Sequence, residues 1–133
     1  MDAAALSGEF SDIAVDAAGT VHVSCTVYYG GFKYARRENG AWTTALIDPT
    51  PSRYTSIALD PGGKVHISYV SAGLLKYATK NASGDWEITS IDRSGLDTVD
   101  YYAYASSIAL DLTGAIHISY FGEGRVLKHA VRH

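Results

Sequence analysis

One phrase is written three times in this chain. Residues 12–25 read DIAVDAAGTVHVSC, residues 56–69 read SIALDPGGKVHISY and residues 107–120 read SIALDLTGAIHISY. Other markers keep the same period. His22, His66 and His117 lie 44 and 51 residues apart. Lys33, Lys76 and Lys128, in FKYA, LKYA and LKHA, lie 43 and 52 apart, and Trp42 and Trp86 lie 44 apart. The second interval is longer because of an insertion around residues 95–104. Such a period constrains the fold more than any bulk property. Each copy is one supersecondary unit that cannot bury its apolar surface alone, so the copies must stack.

Each unit reads as four strands. In the middle unit they fall near 56–60, 65–70, 74–79 and 86–91, from apolar alternation and from β-branched and aromatic residues. Between the first two strands stands Asp-x-x-Gly: Asp16 to Gly19, Asp60 to Gly63, Asp111 to Gly114. Asp opens a type I turn because its side chain accepts turn amides, and Gly closes it because it tolerates positive φ. Asn39-Gly40 and Ser83 to Asp85 mark a second hairpin turn, between strands three and four. No segment carries a helical period. Nearly half of the 133 residues are apolar, enough for a core.

Four-stranded units at this period are the sequence sign of an all-β propeller of antiparallel blades. The phrase IAVDAAGTVHVS resembles the strand–turn–strand core of NHL-type repeats. LKYA and the Trp elements resemble the blades of sialidase-like and NHL-like bacterial repeat proteins, over essentially the whole chain. The Asp-x-x-Gly turn departs from the sialidase Asp-box, which argues against carrying that activity over.

The units span about 12–48, 56–92 and 107–133 within a single domain of residues 1–133, and the third stops before its fourth strand. Ala5-Leu6 aligns with Ala45-Leu46, so residues 1–7 are expected to supply that outer strand by strand exchange. Three blades cannot close a ring of the usual four to eight, and an open stack would expose two apolar sheet faces. The expected partner is therefore a second copy, giving a six-bladed homodimer.

The repeated histidines read as buried polar ties, to a hydroxyl, a carbonyl or a turn Asp, much as WD-repeat blades use theirs. The competing reading, a ring of metal ligands, requires convergence within about 2 Å of one ion, which one histidine per blade provides only if the histidines line a narrow axis, where six in a ring could trap an ion or water. His22, His66, His117, Asp16, Asp60, Asp111, Gly19, Gly63 and Gly114 are thus expected to be structural, with no metal and no cofactor. Lys33, Lys76 and Lys128 read as edge charges with packed stems, and Trp42 and Trp86 as blade covers.

Function on a repeat scaffold lives where the repeat is broken. The loops after the second and fourth strands share one face and carry Tyr28, Tyr29, Arg53, Tyr54, Arg93, Asp97, Asp100, Tyr101, Tyr102, Tyr104, Phe121, Glu123 and Arg125. Aromatic faces beside carboxylates and guanidinium groups suit a carbohydrate or a peptide. The expected ligand set is Tyr28, Tyr29, Arg53, Tyr54, Asp97, Asp100, Tyr101, Tyr102, Tyr104 and Glu123, with residues 95–105 as the main loop. The expected function is a non-catalytic binding and assembly module. Two alternatives stand beside it. One is a glycan-active enzyme using Arg53, Arg93 and Arg125 with Tyr101 and Asp97, or an Asp97–Asp100 pair. The other is a half-propeller scaffold or fragment with no ligand of its own. No phosphate loop, nucleophile elbow or His-Glu-x-x-His helix is present.

A net charge of −3 does not advertise nucleic acid or an anionic membrane. Cys25 is the only cysteine, which excludes an intrachain disulfide and a Cys-rich zinc site. No apolar run reaches the ~20 residues that cross a bilayer. Residues 1–6 lack the basic start and apolar stretch of an export signal, which leaves the compartment open.

Overall fold

The computed structural model describes residues 8–27, 30–93, 105–124 and 126–133. These residues form three antiparallel sheets. Sheet 1 runs β1 (Phe10–Val15), β2 (Val21–Val27), β3 (Gly31–Glu38), β4 (Ala41–Asp48). Sheet 2 runs β5 (Ser52–Leu59), β6 (Val65–Ser71), β7 (Leu74–Lys80), β8 (Trp86–Arg93). Sheet 3 has three strands among the described residues: β9 (Ser106–Leu110), β10 (Ile116–Gly122) and β11 (Val126–Arg132). Residues 1–7, the expected fourth strand of a third unit, lie outside the described residues. No described helix is long and apolar enough to cross a membrane.

The first hairpin of each sheet turns on Asp-x-x-Gly. Gly19, Gly63 and Gly114 have φ of 82°, 80° and 83°, and each amide donates to the Asp carbonyl three residues earlier at 2.9–3.0 Å. The Asp Oδ1 accepts further turn amides: Ala18 and Thr20 on Asp16, Lys64 on Asp60, Thr113 and Ala115 on Asp111. Asn81 repeats the device for β7–β8, accepting from Ser83 and Asp85. Asn39-Gly40, with φ of 50° and 83°, makes the two-residue turn whose twist matches that of the flanking strands.

One expectation is corrected. The connection expected between the first and second units, residues 49–55, is partly strand: β5 begins at Ser52. Its start is irregular: the pairing with β6 shifts between Arg53 and Ser56, and Tyr54 takes φ 50°. Arg53 and Tyr54 therefore sit on a strand, as do Arg93 at the end of β8 and Phe121 in β10.

The sheets stack face to face, and the first strands β1, β5 and β9 make the close approaches between them, not the fourth strands. Each sheet thus has a leading face, turned to the preceding sheet, and a trailing face, turned to the next. The core between sheets 1 and 2 joins trailing Phe32 and Tyr34 to leading Ile57, Val65, Ile67 and Tyr69. The core between sheets 2 and 3 joins trailing Leu75 and Tyr77 to leading Ile108, Ile116, Ile118 and Tyr120. The same repeat positions make both cores. This is why every residue of β6 is buried while β1 alternates between half-buried and exposed.

Candidate functional site

Three sets of side chains recur or cluster, and they differ in what they can do.

The histidines lie beside their turn carboxylates. His22 Nε2 is 3.3 Å from Asp16 Oδ2, and its Nδ1 is 2.7 Å from the Tyr34 hydroxyl. An ionised carboxylate only accepts, so Nε2–H donates to Asp16 and Nδ1 accepts from Tyr34. His66 has Tyr77 at 2.6 Å on Nδ1 and Asp60 at 3.6 Å from Nε2, beyond hydrogen-bond reach. In sheet 3 the tyrosine is replaced: His117 donates from Nε2 to Asp111 at 3.1 Å, and its Nδ1 accepts from His129 Nε2 at 3.0 Å. The Asp16, Asp60 and Asp111 carboxylates are thus occupied by turn amides or turned to histidines. The hollow of about 610 Å³ where the three turns meet is bordered by Val15, Leu59, Leu110 and Leu112 together with Asp16, Asp60 and Asp111. Among the described residues no group of three His, Cys, Asp or Glu side chains is placed to hold a metal ion.

The lysines depart from their reading as edge charges. Lys76 Nζ is 2.8 Å from Asp48 Oδ2, which also accepts from the Tyr69 hydroxyl at 3.0 Å. Lys128 and Tyr120 bond Asp92 in the same way, at 2.8 and 2.7 Å. Each tie crosses from the last residues of one sheet to the leading side of the next. Gly31 makes room for Asp48, since a Cβ there would collide with the Asp48 carbonyl. The third lysine differs. Lys33 has no carboxylate within bonding distance among the described residues, and Cys25 occupies the position of Tyr69 and Tyr120. Burial pushes the Cys25 thiol up while Lys33 pulls it down; the thiol stays above its ordinary value and is a poor nucleophile.

These ties set the acid response. Burial pushes the Asp48 carboxyl up, but Lys76, Thr50 and Tyr69 outweigh it and hold it at about 2. Lys128 and Tyr120 hold Asp92 at about 2. Burial lowers His66 below its ordinary value, against the pull of Asp60. All three groups bind protons less readily folded than unfolded, so the unfolding free energy falls as pH falls. The first loss begins below about pH 6.5, where the unfolded chain's histidine takes the proton that His66 resists. The second runs from about pH 4 to pH 2, with about 2 kcal/mol from Asp48. Urea unfolding from pH 8 to 2 checks this, and His66→Gln should remove its share of the upper step while leaving the lower one.

The third set holds the expected ligand residues. Tyr54 packs its ring on Phe10 at a centroid distance of 4.4 Å, and its carbonyl accepts from the Ser106 hydroxyl at 3.3 Å. Arg53 precedes it on β5, opposite Val70, and both side chains are half-buried. Glu123 is exposed in the β10–β11 turn. Tyr28, Tyr29, Asp97, Asp100, Tyr101, Tyr102, Tyr104 and Arg125 lie outside the described residues. The strand ends that flank residues 28–29 and 94–104 are at the same end of the sheets as Arg53 and Tyr54. Sequence reasoning missed Phe10, although it stands 44 residues before Tyr54, at the same repeat position.

The solved structures contain a chain with this stacking. A fucose lectin from Kordia zhangzhouensis, in complex with methyl-fucoside, superposes with a TM-score of 0.57 at 14% identity, covering 92% of each chain. The fold is propeller-like. The three sheets are its blades, blade 1 to blade 3. A second similar chain, described as a candidate gluconolactonase, gives a TM-score of 0.49 at 14% identity and covers 92% of this chain and 47% of that one. No family model matches the sequence, and no curated protein does. The NHL and sialidase likenesses are therefore not what the comparisons support; the propeller-like architecture is.

Proposed function

We propose that this chain is a non-catalytic carbohydrate-binding module on a six-bladed ring that two copies complete. The observation that carries the carbohydrate reading is the match, over 92% of both chains, to a lectin chain of the same extent. The Phe10–Tyr54 pair beside Arg53 supplies what a sugar needs: a ring face for the apolar side of a pyranose and a guanidinium for its hydroxyls. The tyrosines and acids of residues 28–29 and 97–104 extend that chemistry. Tyr54 also holds φ 50°, a conformation that costs a bulky residue energy and that concentrates at ligand clamps. The ring reading rests on the two blade faces that no described residue covers, with residues 1–7 of one copy completing blade 3 of the other.

A panel of immobilised glycans that includes methyl-fucoside, run beside a peptide library, tests the ligand. A carbohydrate should be retained, and Tyr54→Ala and Tyr102→Ala should each weaken it tenfold or more, about 1.4 kcal/mol. Retention of peptides with no glycan above background would overturn the carbohydrate reading. Retention of neither would leave the scaffold alternative in its place.

A further inference from the structure

The two ends of the stack are unequal halves of one interface. The chain already makes that interface twice, so its own seams show what each open face is built to meet. On the leading side, Ile57 and Ile108 are each 7% exposed, whereas their counterpart Ile13 is 62% exposed. Around Ile13 a groove of about 670 Å³ opens on blade 1, floored by Val21, Val23 and Cys25. On the trailing side, Phe32 and Leu75 are fully buried, whereas their counterpart Leu127 is 70% exposed. The same repeat position is core twice and solvent-facing once, in each direction.

The two faces are also chemically distinct. The trailing face of blade 3 ends in the His117–His129 pair where blades 1 and 2 carry His–Tyr. The leading face of blade 1 carries Lys33, at the position where Lys76 and Lys128 each bond the last Asp of the blade before. Of the Asp–Tyr–Lys tie this face keeps only the lysine, with Cys25 at the tyrosine position, so its apolar positions are what mark it for a preceding blade.

We infer that two copies join head to tail, the leading face of blade 1 in one copy seated on the trailing face of blade 3 in the other, through the Ile13 groove and Leu127. This rests on the ring reading above and specifies its seam. It continues an interface already established inside the chain, between residues of matching type: Ile13 against Leu127 repeats Ile57 against Phe32, which share one core cluster, and Ile108 against Leu75, which share the other. A front-to-front or back-to-back pairing would place like faces together, a contact the chain makes nowhere among its described residues. Each ring then has two equal seams, each using one Ile13 and one Leu127, and the interface is heterologous yet closes.

That arrangement has a signature no symmetric face pairing shares. Light scattering of the full chain should give twice the 14.2 kDa chain mass. Ile13→Lys and Leu127→Glu, both at exposed positions and checked for folding by circular dichroism, should each be monomeric, because each spoils both seams of its homodimer. Mixed in equal amounts they should regain the dimer mass, since one seam is then wild type and the other pairs opposite charges. A dimer that survives Leu127→Glu, or one that survives Ile13→Lys, overturns the head-to-tail seam and with it the closed six-bladed ring, because like faces cannot continue the blade order, and leaves the glycan test untouched. Two folded monomers that fail to recombine also overturn it. A wild-type monomer at micromolar concentration overturns the ring reading itself and leaves the glycan test untouched. Should either charged variant misfold, Ile13→Ala and Leu127→Ala serve instead, each weakening dimerisation tenfold or more if the seam is right and leaving it unchanged if it is not.

Discussion

Asp48→Ala should lower the unfolding free energy by about 3–5 kcal/mol, the range for removing one partner of a buried ion pair. Asp48 is 5% exposed, and its carboxylate meets Lys76 Nζ, the Tyr69 hydroxyl and the Thr50 amide. Tyr69 is fully buried and loses its acceptor; Lys76, with a side chain 15% exposed, becomes an uncompensated charge. The ordinary stability of a domain is about 5–15 kcal/mol, so this one change removes much of it. The other two positions grade the effect. Asp92→Ala breaks the same tie, but the Lys128 and Asp92 side chains are 37% and 34% exposed; water screens the pair, and the loss should be about 1 kcal/mol. Lys33→Met breaks no such bond and should fall within about 0.5 kcal/mol of wild type. Urea unfolding at pH 7 of the three variants gives the order. Equal losses for Asp48→Ala and Asp92→Ala would mean that burial does not set the strength of the tie.

That tie was the part of the architecture least legible in the sequence, for a physical reason. The hairpins could be read because their cause is local: Asp-x-x-Gly holds a turn with its own side chain and its own φ. The stacking could be read because a repeat of this period has no other way to bury Val65, Ile67 and Tyr69 with Leu75 and Tyr77. The Asp–Tyr–Lys tie joins residues from two blades, Asp48 to Lys76 across 28 positions, and no single blade contains it. Its signal was present all the same. Asp48 and Asp92 end their units 44 residues apart, in step with Trp42 and Trp86, and the lysine recurs with them. Taken singly, a Lys at the start of a strand looks like a surface charge. The histidine partners were hidden for a related reason. Tyr34 and Tyr77 lie on the neighbouring strand, diagonal to His22 and His66, and the register that brings them together depends on the length of the β2–β3 and β6–β7 turns. Arg53 and Tyr54 read as loop residues in the sequence, where Pro49 and Pro51 stand just before them. β5 pairs at Ser52 and Arg53 directly after Pro51, and the bulge at Tyr54 then resets the register before Ser56; no propensity scale anticipates a tyrosine at φ 50°.

Leu75→Ala should destabilise the chain by about 2–5 kcal/mol, while Leu127→Ala, the same substitution at the same repeat position, should leave monomer unfolding within about 0.5 kcal/mol. Leu75 is fully buried between blades 2 and 3, against Ile108, Ile116 and Ile118. Truncation there leaves a cavity between two sheets whose backbones are fixed by their own hairpins and cannot close over it. Phe32→Ala, at the matching site between blades 1 and 2, should cost about 3–5 kcal/mol, with the stacked Tyr69 ring 4.4 Å away losing its neighbour. Leu127 has no following blade among the described residues, so in a lone chain its truncation removes surface that water already covers. Denaturant titration at low and high protein concentration separates the two situations. At low concentration only Phe32→Ala and Leu75→Ala should move the midpoint. At high concentration Leu127→Ala should join them, because a ring that closes through this face adds binding free energy to the folded state alone. A Leu127→Ala loss that is large and independent of concentration would mean that the trailing face of blade 3 is already covered within one chain. A Leu75→Ala change below 1 kcal/mol would mean that the blades do not depend on the cores between them.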